Sequence, residues 1–232
     1  MRSLQVISPG KKIFVGLMLV LLASCSSTMR GYKDTLEYAF FPGDGVDLTL
    51  EDIVSRPVPS LYVKVADRPR SLLVLQSSLA QQQKWLSYDR AIVVLEGGRL
   101  VKASGFDNDL IYSRFQQPLS WQTMSGLAAG AQYQSLHDYQ RAGTQGLIHR
   151  YQLLETKQQT LTLFQRPFSA TVFYEQVTFA DGSVAVNEFW FDNHSKTLLK
   201  SKQHPAQFWP VMEFVHISDA ASLLVKSPEQ LP

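Results

Sequence analysis

The chain has 232 residues, 45% of them apolar and 18% charged. That is enough hydrophobic material for one sizeable core or two small ones, and it excludes an intrinsically disordered protein. The formal charge of +2 includes Arg2, Lys11 and Lys12, and without the first 24 residues it falls to −1, so no basic field points to nucleic acid; a single cysteine excludes an internal disulfide and leaves the thiol in need of another use.

Met1 to Lys12 is polar and basic, Ile13 to Leu22 is an unbroken apolar run, and Ala23 and Ser24 are small. This three-part order predicts a secretory signal peptide over residues 1–24; the apolar run is shorter than the ~20 residues a membrane-spanning helix needs. Leu22-Ala23-Ser24-Cys25 resembles the lipobox of bacterial lipoproteins. That resemblance implies cleavage before Cys25, diacylglycerol on its thiol and acylation of the new amine. Two or three acyl chains anchor far more firmly than one, since each buried methylene adds ~0.8 kcal/mol. By the enterobacterial sorting rule for such proteins, Ser26 in place of aspartate implies the outer membrane, with the domain facing the periplasm.

Residues 25–29 read as a lipidated tether, and residues 30–232 as a single β-rich periplasmic domain. Tyr32, Leu36, Ala39 and Phe40 give a short amphipathic helix over 30–40, broken by Phe41-Pro42-Gly43-Asp44-Gly45. Thr49 caps a second short helix with Glu51 and Asp52 in its first turn, and Pro57 and Pro59 end it. From Leu61 the period becomes two. Strands are predicted at Leu61–Val65, Ser71–Leu79 and Trp85–Tyr88. The runs Ala91–Leu95 and Leu100–Ala103 flank Gly97-Gly98, a strong hairpin signal.

Phe106 to Asp109 is a turn and Leu110–Arg114 a strand. Residues 116–146, rich in Gln, Ser, Gly and Ala, read as loop with one or two short elements. Strands are predicted again at Leu147–Glu155, Thr160–Gln165, Ala170–Phe179, Val184–Phe191, Thr197–Gln203 and Trp209–Ile217, then a tail with at most one helical turn. Short turns between consecutive strands allow only antiparallel neighbours. The fold class is therefore mainly β, an antiparallel meander closed as a barrel or stacked as a sandwich, with one or two short N-terminal helices.

The five histidines, His137, His149, His194, His204 and His216, have no metal-binding spacing, and no nucleophile elbow, phosphate loop or dinucleotide fingerprint is present. No cofactor, metal or catalytic residue is assigned. Asp107 and Asp109 are two apart, but an Asp-Asn-Asp turn more often bonds its own backbone than acts on a glycan. Trp85, Trp190 and Trp209 are candidates for stacking on sugar or a partner, against the commoner use of large rings as core. In Phe189-Trp190-Phe191 the tryptophan must face opposite to its neighbours.

Lys84-Trp85-Leu86-Ser87, then Ala91-Ile92-Val93-Val94, Gly98-Arg99-Leu100-Val101-Lys102 and the turn Gly105–Leu110, resemble the YjbF/GfcB family of group 4 capsule and exopolysaccharide lipoproteins. Phe189-Trp190-Phe191-Asp192, Ser201-Lys202-Gln203 and Pro210–Phe214 continue the resemblance, as does the helix over 30–40; Asn193-His194-Ser195-Lys196 departs from it, standing where the family has a Thr-Gly turn. The resemblance implies an outer-membrane lipoprotein with a non-enzymatic accessory role in polysaccharide production or export, whose partners are the membrane, the polymer and the export proteins. The alternative is a periplasmic carrier of lipid or lipoprotein, which requires an apolar cavity. A glycan-trimming enzyme would need paired carboxylates or a metal.

Overall fold

The computed structural model describes residues 45–226; the signal peptide, Leu22 to Cys25 and the helix over 30–40 lie outside them. Twelve strands follow one another: β1 (Ser60–Val65), β2 (Ser71–Leu79), β3 (Gln82–Ser87), β4 (Ile92–Glu96), β5 (Arg99–Ser104), β6 (Leu110–Phe115), β7 (Gln132–Tyr139), β8 (Leu147–Leu163), β9 (Arg166–Thr178), β10 (Val184–Asp192), β11 (Leu198–Gln203) and β12 (Met212–Val215). Every strand pairs antiparallel with its sequence neighbours, and β1 pairs with β12. The result is a closed up-and-down barrel rather than a sandwich.

Alternation puts Leu61, Val63, Leu73, Trp85, Val93 and Phe214 inside at one end of the barrel, and Leu153, Phe173, Phe189, Phe191 and Leu198 inside at the other. The second end is plugged by the β6–β7 connection. Ser120 caps a short helix, α2 (Trp121–Gly126), by accepting from the Thr123 N–H, and Leu119 and Met124 fill the barrel end. The β4–β5 turn lies directly beneath: a Cβ on Gly97 would stand 2.3 Å from the Leu119 carbonyl oxygen, and one on Gly98 would stand 2.1 Å from Leu198 Cδ2. Both glycines also have φ above +50°, so turn geometry and packing both demand Gly-Gly.

The outer face is water-facing. Lys64, Glu213, Lys202 and Glu188 stand side by side across β1, β12, β11 and β10, and Lys200 pairs with Glu213 at 2.9 Å. A barrel that spans a membrane carries an apolar band there instead. One stretch of the outside is covered by helices. In α1 (Leu50–Val54) the Asp52 N–H donates to Thr49 Oγ1 (3.2 Å) and the Thr49 N–H to Asp52 Oδ2 (2.9 Å), a reciprocal cap. The helix α3 (Ile217–Lys226) buries Ile217, Ala220, Ala221 and Leu224 against Tyr62, Leu72, Phe168 and Leu199.

Several boundaries differ from the sequence reading. The predicted strands 147–155 and 160–165 are one strand, because the polar stretch between them keeps its ladder to β9 from Ser169 to Tyr174 without needing apolar side chains. Its hairpin turns at Phe164 and Gln165, both left-handed (φ 52° and 58°). Residues 116–146 hold α2 and the eight-residue strand β7. The expected tail forms α3, whose buried positions recur at helical spacing. Trp209 stands outside β12, in the loop that Pro210 keeps from extending the strand.

Candidate functional site

The connections β1–β2, β3–β4, β5–β6, β7–β8 and β11–β12 meet at the unplugged end. They surround a cavity of about 700 Å³, within the ~300–1,000 Å³ range of ligand pockets. Its floor is sealed by inward side chains of the strand ends: Leu73, Val93 and Met212 are at most 1% exposed. One wall is aromatic. Phe106 and Trp209 lie 4.8 Å apart between ring centroids, and Phe208, 41% exposed, stands edge-on to Tyr139 at 4.9 Å.

Hydrogen bonds between loops hold that wall in place. Trp209 Nε1 donates to the Asn108 carbonyl (2.9 Å), Asn108 Oδ1 accepts from the Arg141 N–H (2.8 Å), and Asp109 Oδ1 accepts from the Phe106 N–H (2.9 Å). The Tyr139 hydroxyl donates to the Pro205 carbonyl (2.5 Å). Asp109 therefore organises the turn, as its sequence context predicts. Arg68, Arg141, Asp89 and Asp107 stand around the cavity. Asp89 accepts from the Ser87 hydroxyl; among the described residues no ion pair or hydrogen bond engages the side chains of Arg68, Arg141 or Asp107.

A polar layer crosses the barrel interior below this end. Arg99 and Glu175, 3% and 0% exposed, form a two-pronged pair: Arg99 Nη1 donates to Glu175 Oε1 (3.0 Å) and Nη2 to Oε2 (2.5 Å). Tyr133 and Asn187 complete it, and the rings of Phe115 and Phe189 lie 4.7 and 4.9 Å from the guanidinium carbon. Beside it the imidazoles of His137 and His149 stack at 4.2 Å. Ser113 Oγ lies 2.7 Å from His137 Nδ1, and Ser135 Oγ bonds Nε2.

Burial, then the neighbouring His149 and Arg99, pushes His137 well below the ordinary imidazole range. Burial pushes His149 down to about 4 and Tyr151 up to about 12. Both imidazoles are thus neutral at physiological pH. Ser135 borders an outer groove of about 460 Å³, but its hydroxyl is turned inward to His137 and Tyr151.

The structure separates the three tryptophans. Trp85, 4% exposed, packs inside the barrel. Trp190 faces outward as alternation requires, yet is 8% exposed, covered by Lys200 at 5.0 Å and by Gln159, which accepts from its Nε1. Trp209, also 8% exposed and part of the apolar core, is the one of the three that borders the cavity. Phe106, Phe208, Arg68 and Arg141 join it there without having been singled out. The missing signal was topological: in an up-and-down barrel every second connection falls at the same end, so the turns at 66–70, 105–109, 140–146 and 204–211 had to converge.

Fold and site define a water-facing, side-chain-filled twelve-stranded barrel with a ligand-sized cavity at one mouth. Residues 33–217 match the family model described as group 4 capsule polysaccharide lipoprotein GfcB, YjbF, and the chain belongs to that family of envelope lipoproteins. It is 24% identical over 201 residues to the uncharacterized lipoprotein GfcB of Escherichia coli K12, covering 83% of this chain and 91% of that one. It is 38% identical over 93 residues to the uncharacterized lipoprotein YjbF of the same strain, covering 40% of this chain and 44% of YjbF. The crystal structure of the hypothetical lipoprotein YmcC from E. coli K12 has the same fold, with a TM-score of 0.65, 22% identity, and coverage of 78% and 93%.

Proposed function

We propose that the protein is a non-enzymatic accessory factor in capsule or exopolysaccharide production or export, held by a lipid on Cys25 at the outer membrane and facing the periplasm. The observation that carries this reading is a water-facing barrel whose interior is filled and whose cavity opens at one end only. Such a body is suited to binding and unsuited to conducting a polymer. The charged outer face leaves anchoring to the lipid, and Ser26 after Cys25 favours outer-membrane sorting. The family description supports the link to capsule polysaccharide.

A binding role is favoured over catalysis by how the reactive groups are used. The Ser135–His137 pair is sealed in the barrel, and a serine hydroxyl rather than a carboxylate holds the second imidazole nitrogen. Asp89 and Asp109 are committed to their own turns. The sealed apolar floor also speaks against the carrier alternative, which needs a deep channel for acyl chains.

The test is deletion of the gene in its own host, with surface and secreted polysaccharide measured and complementation by wild type and by Cys25→Ala at equal protein level. Polymer should fall, and only the lipidated form should restore it. Unchanged polymer while the capsule locus is expressed would refute the proposal.

A further inference from the structure

We infer that the barrel mouth is a saccharide-binding site that seats one sugar ring of a polysaccharide against Phe106, which Trp209 backs, and Phe208, between the guanidinium groups of Arg68 and Arg141 and the carboxylate of Asp107. The inference rests on the capsule reading above and adds to it where the polymer is held and by which groups.

Three properties of the cavity point to this ligand class. The aromatic wall is prearranged, since Trp209 is pinned through its Nε1 and the Phe106 ring packs on it at 4.8 Å between centroids. Ring surface for the C–H face of a sugar is offered by half-buried Phe106 and by Phe208, 41% exposed, while Trp209, 8% exposed, backs Phe106 from the core. The rim supplies donors and acceptors that the protein itself does not use: two guanidinium groups, which only donate, and a carboxylate, which only accepts. A hydroxyl does both, so a ring bearing several hydroxyls satisfies a mixed rim, whereas a purely anionic or purely cationic ligand satisfies half of it. The charges of Arg68 and Arg141 against Asp89 and Asp107 cancel, so the mouth lacks the single-sign field that steers a polyion.

The size and depth of the site narrow the class further. At about 700 Å³ the cavity is roomy, but Leu73, Val93 and Met212 close its floor, so an acyl chain finds no channel behind the aromatic wall. A chain molecule can lie across the open end with one unit inserted. A polymer built of repeating rings meets that requirement.

The test uses the full lipidated protein purified in detergent. The probes are oligosaccharides cut from the host's own surface polysaccharide and, in parallel, cis-parinaric acid as an acyl-chain probe. Affinity is measured by isothermal titration, and contact by saturation-transfer NMR. Wild type should bind the oligosaccharides, with saturation transferred to the ring C–H protons. The double variant Arg68→Gln, Arg141→Gln should bind them about tenfold or more weakly, as expected for losing charge-assisted hydrogen bonds.

That variant should melt like wild type, since neither side chain has a partner in the described structure to lose. Phe208→Ser gives a second, independent reading and should also weaken binding, while Lys157→Gln on the outer face of β8 should not. Absence of oligosaccharide binding by wild type, equal binding by the double variant, or displacement of the oligosaccharide by parinaric acid overturns the inference. Failure here with loss of polymer on gene deletion sinks the mouth site alone. Binding here with unchanged polymer on deletion sinks the capsule reading alone.

Discussion

Replacing Glu175 with glutamine changes one oxygen to an amide nitrogen and leaves shape and volume almost untouched, so it isolates the electrostatics of the barrel interior. In the wild type the carboxylate takes both Arg99 prongs and the Asn187 amide. In Glu175→Gln one oxygen still accepts, but the new Nε2 faces the Arg99 Nη2 donor, and the guanidinium is left buried without a counter-charge. Breaking a buried pair in this way costs about 3–5 kcal/mol. A chain of this size shifts about 2–4 °C per kcal/mol, so the melting temperature should fall by about 6–20 °C. Urea unfolding followed by tryptophan fluorescence checks the same quantity as a displaced midpoint. Arg99→Met in the Glu175→Gln background should restore much of the loss, because a neutral interior no longer carries an unpaired charge, and the double-mutant cycle should give a coupling above about 2 kcal/mol. A loss under about 1 kcal/mol, as for an exposed pair, would show that water reaches Arg99 and would refute the description of the Arg99–Glu175 pair as buried.

Acid should destabilise the barrel through the stacked histidines. Folded His149 takes a proton only near pH 4, against an ordinary 6.5. The unfolded chain thus binds more protons between those values, and stability is lost as pH falls through that window. At ~1.4 kcal/mol per pH unit the loss is about 3 kcal/mol, and it should be visibly smaller in His149→Phe when midpoints are compared across pH. In the plugged turn, Gly97→Ala should cost more than Gly98→Ala, both within or above ~1–3 kcal/mol. The first clashes with a backbone oxygen that cannot swing away and the second with a leucine methyl that can; denaturant midpoints give the order. At the tip of the β8–β9 hairpin, Gln165→Gly should stabilise by about 0.5–1 kcal/mol, since it relieves a left-handed strain of ~1–2 kcal/mol and loses about 0.5–1 in chain entropy. A lower melting temperature for that variant would count against the turn geometry.

The parts of the fold that were readable in the sequence are those whose signal is local. Thr49 with Asp52 marked α1, Gly97-Gly98 marked the tightest hairpin, and short turns between apolar alternations required an antiparallel meander. Closure into a barrel was not readable, because it depends on Tyr62 meeting Val215 and no local pattern encodes that meeting. β7 was hidden for a different reason. Its inward positions are Tyr133, Ser135, His137 and Tyr139, so its period of two is written in polar and aromatic residues that read as loop. The same polar choice concealed the interior network, since Arg99 and Glu175 lie 76 positions apart and each alone looks like an ordinary surface charge. Trp209 could be nominated for its type but not distinguished from Trp85 and Trp190, since all three are at most 8% exposed and only the meeting of the loops puts Trp209 beside the cavity.

The seam between β1 and β12 has a consequence for how the protein comes to be. All other ladders join strands linked by local connections, but this one joins positions ~150 residues apart. Closing so long a loop costs about 3 kcal/mol more in chain entropy than closing a four-residue turn, and β12 offers only four residues of ladder in return. A meander growing from its N-terminus therefore stays an open, curling sheet, with the free edge of β1 exposed, until the last strand arrives. The helix α3 follows at once, and Ser218 accepts the Ser60 N–H at 2.7 Å, tying the end of the chain to the beginning of the first strand. Loss of β12 and α3 would thus remove the clasp of the barrel and leave two sheet edges for other chains to pair with.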